Sequence, residues 1–258
     1  MGKKYKIIAG IPTRDEEWII EKQLKTLEKF CDKIIIVDDS KDRTPEICKT
    51  FDKVELHLRG SNKLLDEGKF RQELIEHISK HEPDYVILLD CDEIISPNII
   101  DFFENIDENI VLWTLPEVNL WRDKYHYRID KYRTKLGANV NWDPFNNGPR
   151  RPFIMKFNKN IKYDYDITRD KGVGSLSPFP ENVPFPHKNI DEVVVLHYGR
   201  IGEKFTSGYK HELYAKVEEE NWGANYEQRL EHHKLCGSEE TLKLEKIKPE
   251  WVWEGIND

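Results

Sequence analysis

The stretch VILLDCDEI, residues 86–94, ends an apolar run with three acidic residues. The four residues before Asp90 have the aliphatic side chains of a buried strand, and Asp92 and Glu93 follow closely. A strand can end with Gly, Asn or Ser, so acids are not needed to stop it. Because carboxylates crowded at one strand end repel each other, this stretch indicates that a positive charge lies among them.

The first hundred residues alternate strand and helix signals. Four short apolar segments are predicted strands: 5–12, 33–40, 53–58 and 84–90. Before the fourth, Phe70, Leu74 and Ile78 repeat at helical spacing on one face. Continuously apolar strands that alternate with helices predict a parallel sheet covered on both faces. Ligands of such sheets bind beyond the carboxyl ends of the strands, where two acidic clusters fall.

Two helix starts are predicted from local patterns. Thr13 with Glu16 forms a capping-box pattern. Thr44 and Pro45 fit the N-cap and the first helical residue of a short helix.

After residue 110 the pattern changes. Three further segments are predicted strands: 110–121, 150–157 and 192–199. Two helices are predicted near the end, over 203–221 and about 224–235. At 258 residues the chain is expected to form a single domain, 1–258.

Composition limits the classes of function. A net charge of -8 argues against a general nucleic-acid binder, which is usually basic. The four cysteines have no zinc-like spacing and are interpreted as reduced thiols, which favours a cytoplasmic protein. The start has no signal-peptide pattern, and no apolar stretch approaches the roughly 18 residues of a membrane span. Any membrane contact is therefore expected to be peripheral.

Two acidic pairs carry the first functional hypotheses. Asp90 and Asp92 can supply oxygen ligands to Mg²⁺ or Mn²⁺, whose shell phosphate oxygens and water would complete; the alternative is a solvated loop that precedes a helix. Asp38 and Asp39 can accept hydrogen bonds from a ribose hydroxyl or a base, and the alternative is an Asx-type turn. The chain has no GxGxxG after its first strand and no GxxxxGK[ST], which disfavours a dinucleotide fold and a P-loop NTPase.

Four segments occur in an order that carries a family resemblance: IPTRDEEWIIEKQLKTL, IIIVDDSKDRT, EGKFRQELI and DYVILLDCDEI. Together they resemble the nucleotide-sugar-binding half of an inverting family 2 glycosyltransferase with the GT-A fold, over about residues 5–105. The resemblance implies an α/β fold with a mixed, mostly parallel sheet flanked by helices. It implies a nucleotide-sugar-binding half, 1–110, and an acceptor-binding half with C-terminal helices, 111–258.

The resemblance also implies site residues and ligands. The donor is a nucleotide diphosphate sugar, with UDP-sugar favoured, and the cofactor is Mn²⁺ or Mg²⁺. Thr13 and Glu16 or Glu17 are expected near the base, and Asp39, with Asp38 beside it, near uracil or ribose. Asp90 is expected at the ribose and Asp92 at the metal. Arg71 matches the arginine of a common "RN" element, although Gln72 stands where Asn is usual.

The segment VVVLHYGRIGEKFTSGYKHELYAK, 193–216, is similar to a His-Tyr element of lipopolysaccharide core glucosyltransferase-like members. By that similarity His197 would bind the metal or the diphosphate, and the alternative is a strand-end histidine with ordinary partners. Arg200 and Lys204 could neutralise the leaving group.

An inverting transfer needs a carboxylate that deprotonates the acceptor hydroxyl. Asp166 is the favoured base because it follows the strand over 150–157, although the "ED" pair of the family is absent. Other acids of the same region remain candidates: Asp143, Asp164 and Asp170. Three aromatic residues could stack on sugar rings or belong to the core: Trp121, Trp142 and Phe145.

The acceptor stays open, as a saccharide, a lipid-linked saccharide or another hydroxyl compound. One rival hypothesis is a sugar-nucleotide-binding protein without catalysis, which the missing "ED" pair favours. Another is a nucleotidyltransferase, but the acidic GIPTRDEEW lacks the glycine-rich basic signature expected of that class.

Overall fold

The computed structural model describes residues 4–60, 67–162, 187–201 and 208–256. The strands in these ranges are β1 Ile7–Thr13, β2 Lys33–Asp38, β3 Val54–Leu58, β4 Tyr85–Leu88, β5 Glu93–Ile95, β6 Leu112–Asn119, β7 His126–Arg128, β8 Lys131–Arg133, β9 Asn139–Asn141, β10 Arg150–Lys156, β11 His187–Asn189, β12 Val195–His197 and β13 Leu244–Lys246. The α-helices in these ranges are α1 Ile20–Leu27, α2 Thr44–Cys48, α3 Glu67–Ser79, α4 Ile99–Glu104, α5 Tyr209–Trp222 and α6 Tyr226–Cys236.

Nine of these strands form one mixed sheet, in the order β3-β2-β1-β4-β10-β6-β12-β5, with β11 paired to β6. Strands β3, β2, β1 and β4 are parallel. β10 lies antiparallel between β4 and β6, and β12 is parallel to β6. The predicted mixed, mostly parallel sheet is therefore confirmed, although β5, which comes from the first hundred residues, is not one of its parallel strands. That strand pairs antiparallel with β12, which comes from the second half of the chain.

Apolar side chains cover both faces of the sheet, as the continuous strands predict. On one face Phe70, Leu74 and Ile78 of α3 pack against Ile8 of β1 and other strand residues. The opposite face contacts α1, α2 and α4. A Cβ at Gly10 of β1 would come within 3.0 Å of Leu88 and Ile78, so glycine permits the close approach of α3.

Both predicted helix starts need correction. Thr13 does not cap α1, because its Oγ1 donates to Asp38 Oδ1 over 2.5 Å. The helix begins later, at Ile20. α2 begins at Thr44 itself rather than after it, and Asp42 Oδ1 accepts from the Thr44 amide. Asp42, two residues before Thr44, thus supplies the side-chain acceptor that the local pattern expected from Thr44, while Arg43 is the N-cap residue.

The second half adds two small ribbons and a helical hairpin. β7 pairs with β13, and β8 pairs with β9. Arg128 is fully buried here and forms a bidentate pair with Asp130. The hairpin consists of α5 and α6, which Glu218 of α5 joins by contacting Arg229 and His233 of α6. Within the described ranges, no helix is both long enough and apolar enough to cross a membrane. All four cysteines are free thiols.

Candidate functional site

The loops that follow β1 and β2 are joined side by side. Thr13 and Asp38 are hydrogen-bonded and nearly fully buried. Arg14 Nη2 donates to Asp39 Oδ2 over 2.7 Å. The next residue, Asp15, has a left-handed backbone with φ 54°, and its amide donates to Ser40 Oγ. Asp38 therefore joins the ends of β1 and β2. Asp39 directly follows β2, and one of its carboxylate oxygens accepts a hydrogen bond from Arg14.

Glu16 lies in the same loop. Its amide donates to Thr44 Oγ1 over 2.9 Å, and its carboxylate accepts from the indole of Trp18 over 2.6 Å. The charge of Glu16 also contributes to the raised pKa values of Cys91 and Lys210. Glu16 is thus close enough to Cys91 and Lys210 to interact with them electrostatically, and its expected place near the base stays a prediction.

Asp90, just beyond β4, is held by two arginines. Arg71 Nη2 of α3 lies 2.6 Å from Oδ1. Arg151 of β10 lies 3.1 Å and 3.2 Å from Oδ2 through Nη1 and Nη2. Burial alone would raise the pKa of Asp90, but the charges of Arg151 and Arg71 outweigh it and lower the pKa. Both arginines keep this carboxylate ionised and fix its orientation.

Arg151 joins further carboxylates to the same group. Its guanidinium contacts Glu93, which is fully buried, and its Nε lies 3.1 Å from Glu117 Oε2 of β6. Glu93 in turn accepts from the amide of Asp90 over 2.7 Å. One arginine thus supplies positive charge to three acids from three different strands or strand ends.

Asp92 has a different pair of neighbours. Lys210 Nζ of α5 lies 2.6 Å from Oδ2, and His197 Nε2 of β12 lies 3.5 Å from Oδ1. Burial alone would raise the pKa of Asp92, but Lys210 and His197 hold it well below its usual range. The pKa of Lys210 is raised, since the charge of Asp92 outweighs the effect of burial.

His197 is oriented from its other side. Nδ1 lies 2.9 Å from Asn119 Oδ1 and 3.2 Å from Glu117 Oε1, both on β6. Because both neighbours accept, Nδ1 carries a proton, and Nε2 is turned toward Asp92. Burial alone would lower the pKa of His197, but Asp92 and Glu117 raise it. An imidazole held by a carboxylate in this way is the usual arrangement of a metal-binding histidine.

The donor set around Asp92 fits a divalent cation with few protein ligands. A Cβ at Gly199 would come within 3.0 Å of Asp92 Oδ2, His197 Nε2 and Lys210 Nζ, so these polar atoms surround one small space. In the described part of the chain, no group of three or more His, Cys, Asp or Glu side chains is arranged to hold a metal. A cation here would therefore have Asp92 and His197 as its protein ligands and would need a further partner, such as a phosphate.

The remaining sequence candidates are spread more widely. Arg200 follows β12 in a short 3-10 helix, and its guanidinium lies 5.2 Å from the ring centre of Trp142. Asp166 and Lys204 lie outside the described residues. Trp121 and Trp142 are buried against each other, which favours packing over sugar stacking. Phe145 is partly exposed and stacks on Trp251.

Sequence reasoning missed four residues of this site: Arg151, Glu117, Asn119 and Lys210. Arg151 is the second residue of a strand and Lys210 lies in the first turn of a helix, where charged residues are ordinary. Glu117 and Asn119 are two residues apart on β6, a spacing that polar residues on one face of any strand can have. Only the position of Lys210, soon after the His-Tyr pair, was a usable signal.

Comparison with family models gives one match, to the glycosyl transferase family 2 model, over residues 9–164. This range includes the ends of β1, β2 and β4 and the whole of β10, and it covers more than half of the chain. The chain belongs to glycosyl transferase family 2. Within this family 2 chain, the matched range contains Asp39, Arg71, Asp90, Asp92 and Arg151, whereas His197 and Lys210 lie beyond it.

Solved structures similar to this family 2 chain include S. aureus TarS 1-349 in complex with UDP-GlcNAc, at 24% identity and a TM-score of 0.39, covering 45% of this chain and 35% of that one. A second S. aureus TarS structure covers 87% of this chain and 41% of its own, at 14% identity and a TM-score of 0.46. The Mycobacterium tuberculosis glucosyl-3-phosphoglycerate synthase, solved with Mn²⁺, UDP and glucosyl-3-phosphoglycerate, is 17% identical, with a TM-score of 0.35 and coverage of 45% of each chain.

The family 2 chain thus aligns with less than half the length of the chain in each of these three structures. No curated protein matches it.

Proposed function

We propose that this chain transfers a sugar from a nucleotide diphosphate sugar to an acceptor hydroxyl, with inversion at the anomeric carbon. The proposal applies the family's reaction class to a site of which Asp39, Asp90 and Asp92 lie within the matched range. The resemblance favours a uridine base. The acceptor is a saccharide, a lipid-linked saccharide or another hydroxyl compound.

The observation that carries the proposal is the pairing of Asp92 with an oriented His197. His197 Nε2 lies 3.5 Å from Asp92 Oδ1, while Nδ1 faces Asn119 and Glu117. A solvated loop, which was the alternative for these acids, would leave Asp92 exposed; it is buried. Two nearly buried groups able to ligate a cation, at the carboxyl edge of the sheet, suit the diphosphate of a donor.

The other proposed site residues would bind different parts of the donor. Asp39 would accept hydrogen bonds from the base or ribose, and Thr13 and Asp38 hold the two loops that frame that position. Asp90 would face the ribose, with its orientation fixed by Arg71 and Arg151. Glu16 would lie near the base, and Arg200 would help to neutralise the departing diphosphate.

Asp92 and His197 are the residues that would hold Mn²⁺ or Mg²⁺. When bound there, the cation would offset the negative charge that develops on the departing diphosphate. Lys210 supplies a further positive charge at the same carboxylate.

Asp166 is the proposed base. It would take the proton from the acceptor hydroxyl as that oxygen attacks the anomeric carbon and the bond to the diphosphate breaks. The half of the chain after residue 110 would bind the acceptor, and Asp143, Asp164 and Asp170 are the substitutes to test if Asp166 is not the base.

The test is incubation with UDP-, GDP- and dTDP-sugars, with and without Mn²⁺, followed by assay of nucleoside diphosphate release. Slow hydrolysis of one donor is expected, and Asp92→Asn should reduce it about a hundredfold, as loss of a charge-stabilising group does. Asp52→Asn, an exposed change in the turn before β3, is the control. Binding without release would favour the non-catalytic alternative, and pyrophosphate exchange would favour the nucleotidyltransferase.

The stereochemistry needs a separate measurement once an acceptor is found. NMR of the first-formed product should show the opposite anomeric configuration to the donor. Retention would contradict an inverting mechanism with a single base.

A further inference from the structure

Lys210 reaches Asp92 from a distant part of the chain. It lies in the first turn of α5, two residues after Gly208, which has a left-handed backbone with φ 80°. Its Nζ lies 2.6 Å from Asp92 Oδ2, and only 13% of the lysine side chain is exposed. The contact is therefore a nearly buried ion pair that links the helical hairpin to the strand-end acids.

Lys210 shares its position with the candidate cation site. The small space above Gly199 is bordered by Asp92 Oδ2, His197 Nε2 and Lys210 Nζ together. An ammonium and a divalent cation cannot both occupy that space without strong repulsion, because the side chains around it are nearly buried and solvent screens their charges weakly. The two charges thus compete for one carboxylate.

A bound diphosphate would change the competition between Lys210 and the cation for Asp92. The site offers a cation two protein ligands, Asp92 and His197, so phosphate oxygens are needed to complete its shell. The same phosphates give Lys210 an anionic partner other than Asp92, and its long flexible side chain can turn to them. Nucleotide binding would then remove the competitor and add ligands at the same time.

We propose that Lys210 competes with the divalent cation for Asp92, and that a nucleoside diphosphate releases this competition. The inference rests on the proposed function, since it requires the diphosphate to bind beside Asp92. Lys210 is then a positioning residue that couples the cation to the nucleotide. By thermodynamic linkage, each ligand raises the affinity for the other by the same factor.

The test is Mn²⁺ binding, measured by EPR of the free ion, with and without UDP and with no sugar donor present. For the unaltered chain, saturating UDP should tighten Mn²⁺ binding by about tenfold or more. In Lys210→Met, Mn²⁺ alone should bind about tenfold more tightly than in the unaltered chain, and the effect of UDP should shrink. Lys210→Arg keeps the charge and should keep weak binding of Mn²⁺ alone.

Lys216→Met is the matched control, because Lys216 is an exposed lysine of the same helix. It should bind Mn²⁺ like the unaltered chain. Circular dichroism checks that each variant is folded, and Lys210→Gln replaces Lys210→Met if the latter does not fold.

Mn²⁺ binding that is equally weak in folded Lys210→Met and in the unaltered chain overturns the inference. So does an absence of Mn²⁺ binding in every variant with UDP present. Neither result decides the transferase proposal, which depends on release of UDP from a UDP-sugar in the same preparation.

Discussion

The guanidinium of Arg151 lies against the carboxylate of Asp90, with Nη1 3.1 Å and Nη2 3.2 Å from Oδ2. The two residues are 61 positions apart in the chain and meet because β10 inserts antiparallel beside β4. This contact explains in part how the chain tolerates several carboxylates crowded beyond the end of β4. The chain itself supplies the positive charge at Asp90, and Asp92 is the acid with a lysine and a histidine around it.

Arg151→Met is expected to lower the free energy of unfolding by roughly 3–5 kcal/mol, because buried carboxylates would lose their shared partner. Equilibrium urea unfolding of both proteins measures this. Arg133→Met, at an exposed position of β8, should change it by less than about 0.5 kcal/mol. A similarly small effect of Arg151→Met would contradict a central electrostatic role for this arginine.

Gly199→Ala is expected to impair the site more than the fold. The added Cβ would come within 3.0 Å of the side-chain ends of Asp92, His197 and Lys210, which can shift without moving the backbone. We expect donor hydrolysis to fall about tenfold or more, since displaced groups lose their alignment, with little change in melting temperature. Gly237→Ala is the control, because its Cβ would make contacts of 3.4 Å or longer. Unchanged hydrolysis in Gly199→Ala would argue against the idea that the donor reacts beside Asp92, His197 and Lys210.

Asp39→Asn is expected to weaken UDP binding about tenfold or more, the effect of losing one hydrogen bond to a charged group. Isothermal titration calorimetry measures the affinity. Asp52→Asn serves as the control, being exposed and in the turn before β3. Equal affinities for Asp39→Asn and the unaltered chain would remove Asp39 from the nucleotide site and leave it as a partner of Arg14.

Glu218 should make the helical hairpin sensitive to acid. Burial alone would raise its pKa, but Arg229 and His233 lower it to about 2 in the folded chain. The unfolded value is about 4.3. Because the folded pKa is the lower one, the stabilisation is complete above the unfolded pKa and is lost as the pH falls toward about 2.

The test compares Glu218→Gln with the unaltered chain by urea unfolding over a range of pH. The difference in unfolding free energy should be roughly 1.5–3 kcal/mol at pH 7 and should shrink below about pH 4. Glu219 is an exposed neighbour on α5, and Glu219→Gln should show almost no difference over the whole pH range. A difference that stays constant down to pH 3 would mean that the charge of Glu218 is not the cause.

The strands of the first hundred residues could be predicted because their signals are local. A continuous apolar run and the turn residues around it identify each strand, and parallel strands of this kind place their carboxyl ends together. The sequence pattern therefore assigns four acids to one edge of the sheet: Asp38, Asp39, Asp90 and Asp92. The helix start predicted at Thr13 is wrong because Thr13 bonds instead to Asp38 at the end of β2. The start predicted at Thr44 is off by one residue, because Thr44 is already helical and its amide donates to Asp42 just before α2.

The sequence by itself determined that acids gather at one edge of a parallel sheet, since strand length, apolar content and the residue after each strand are local properties. Tertiary structure alone decided which positively charged side chains contact those acids. Lys210 reaches Asp92 across 118 positions, and Arg151 reaches Asp90 through an antiparallel strand inserted between distant segments. A lysine in a first helical turn or an arginine at a strand start looks like a surface residue in the sequence, because its burial depends on which element the chain folds it against.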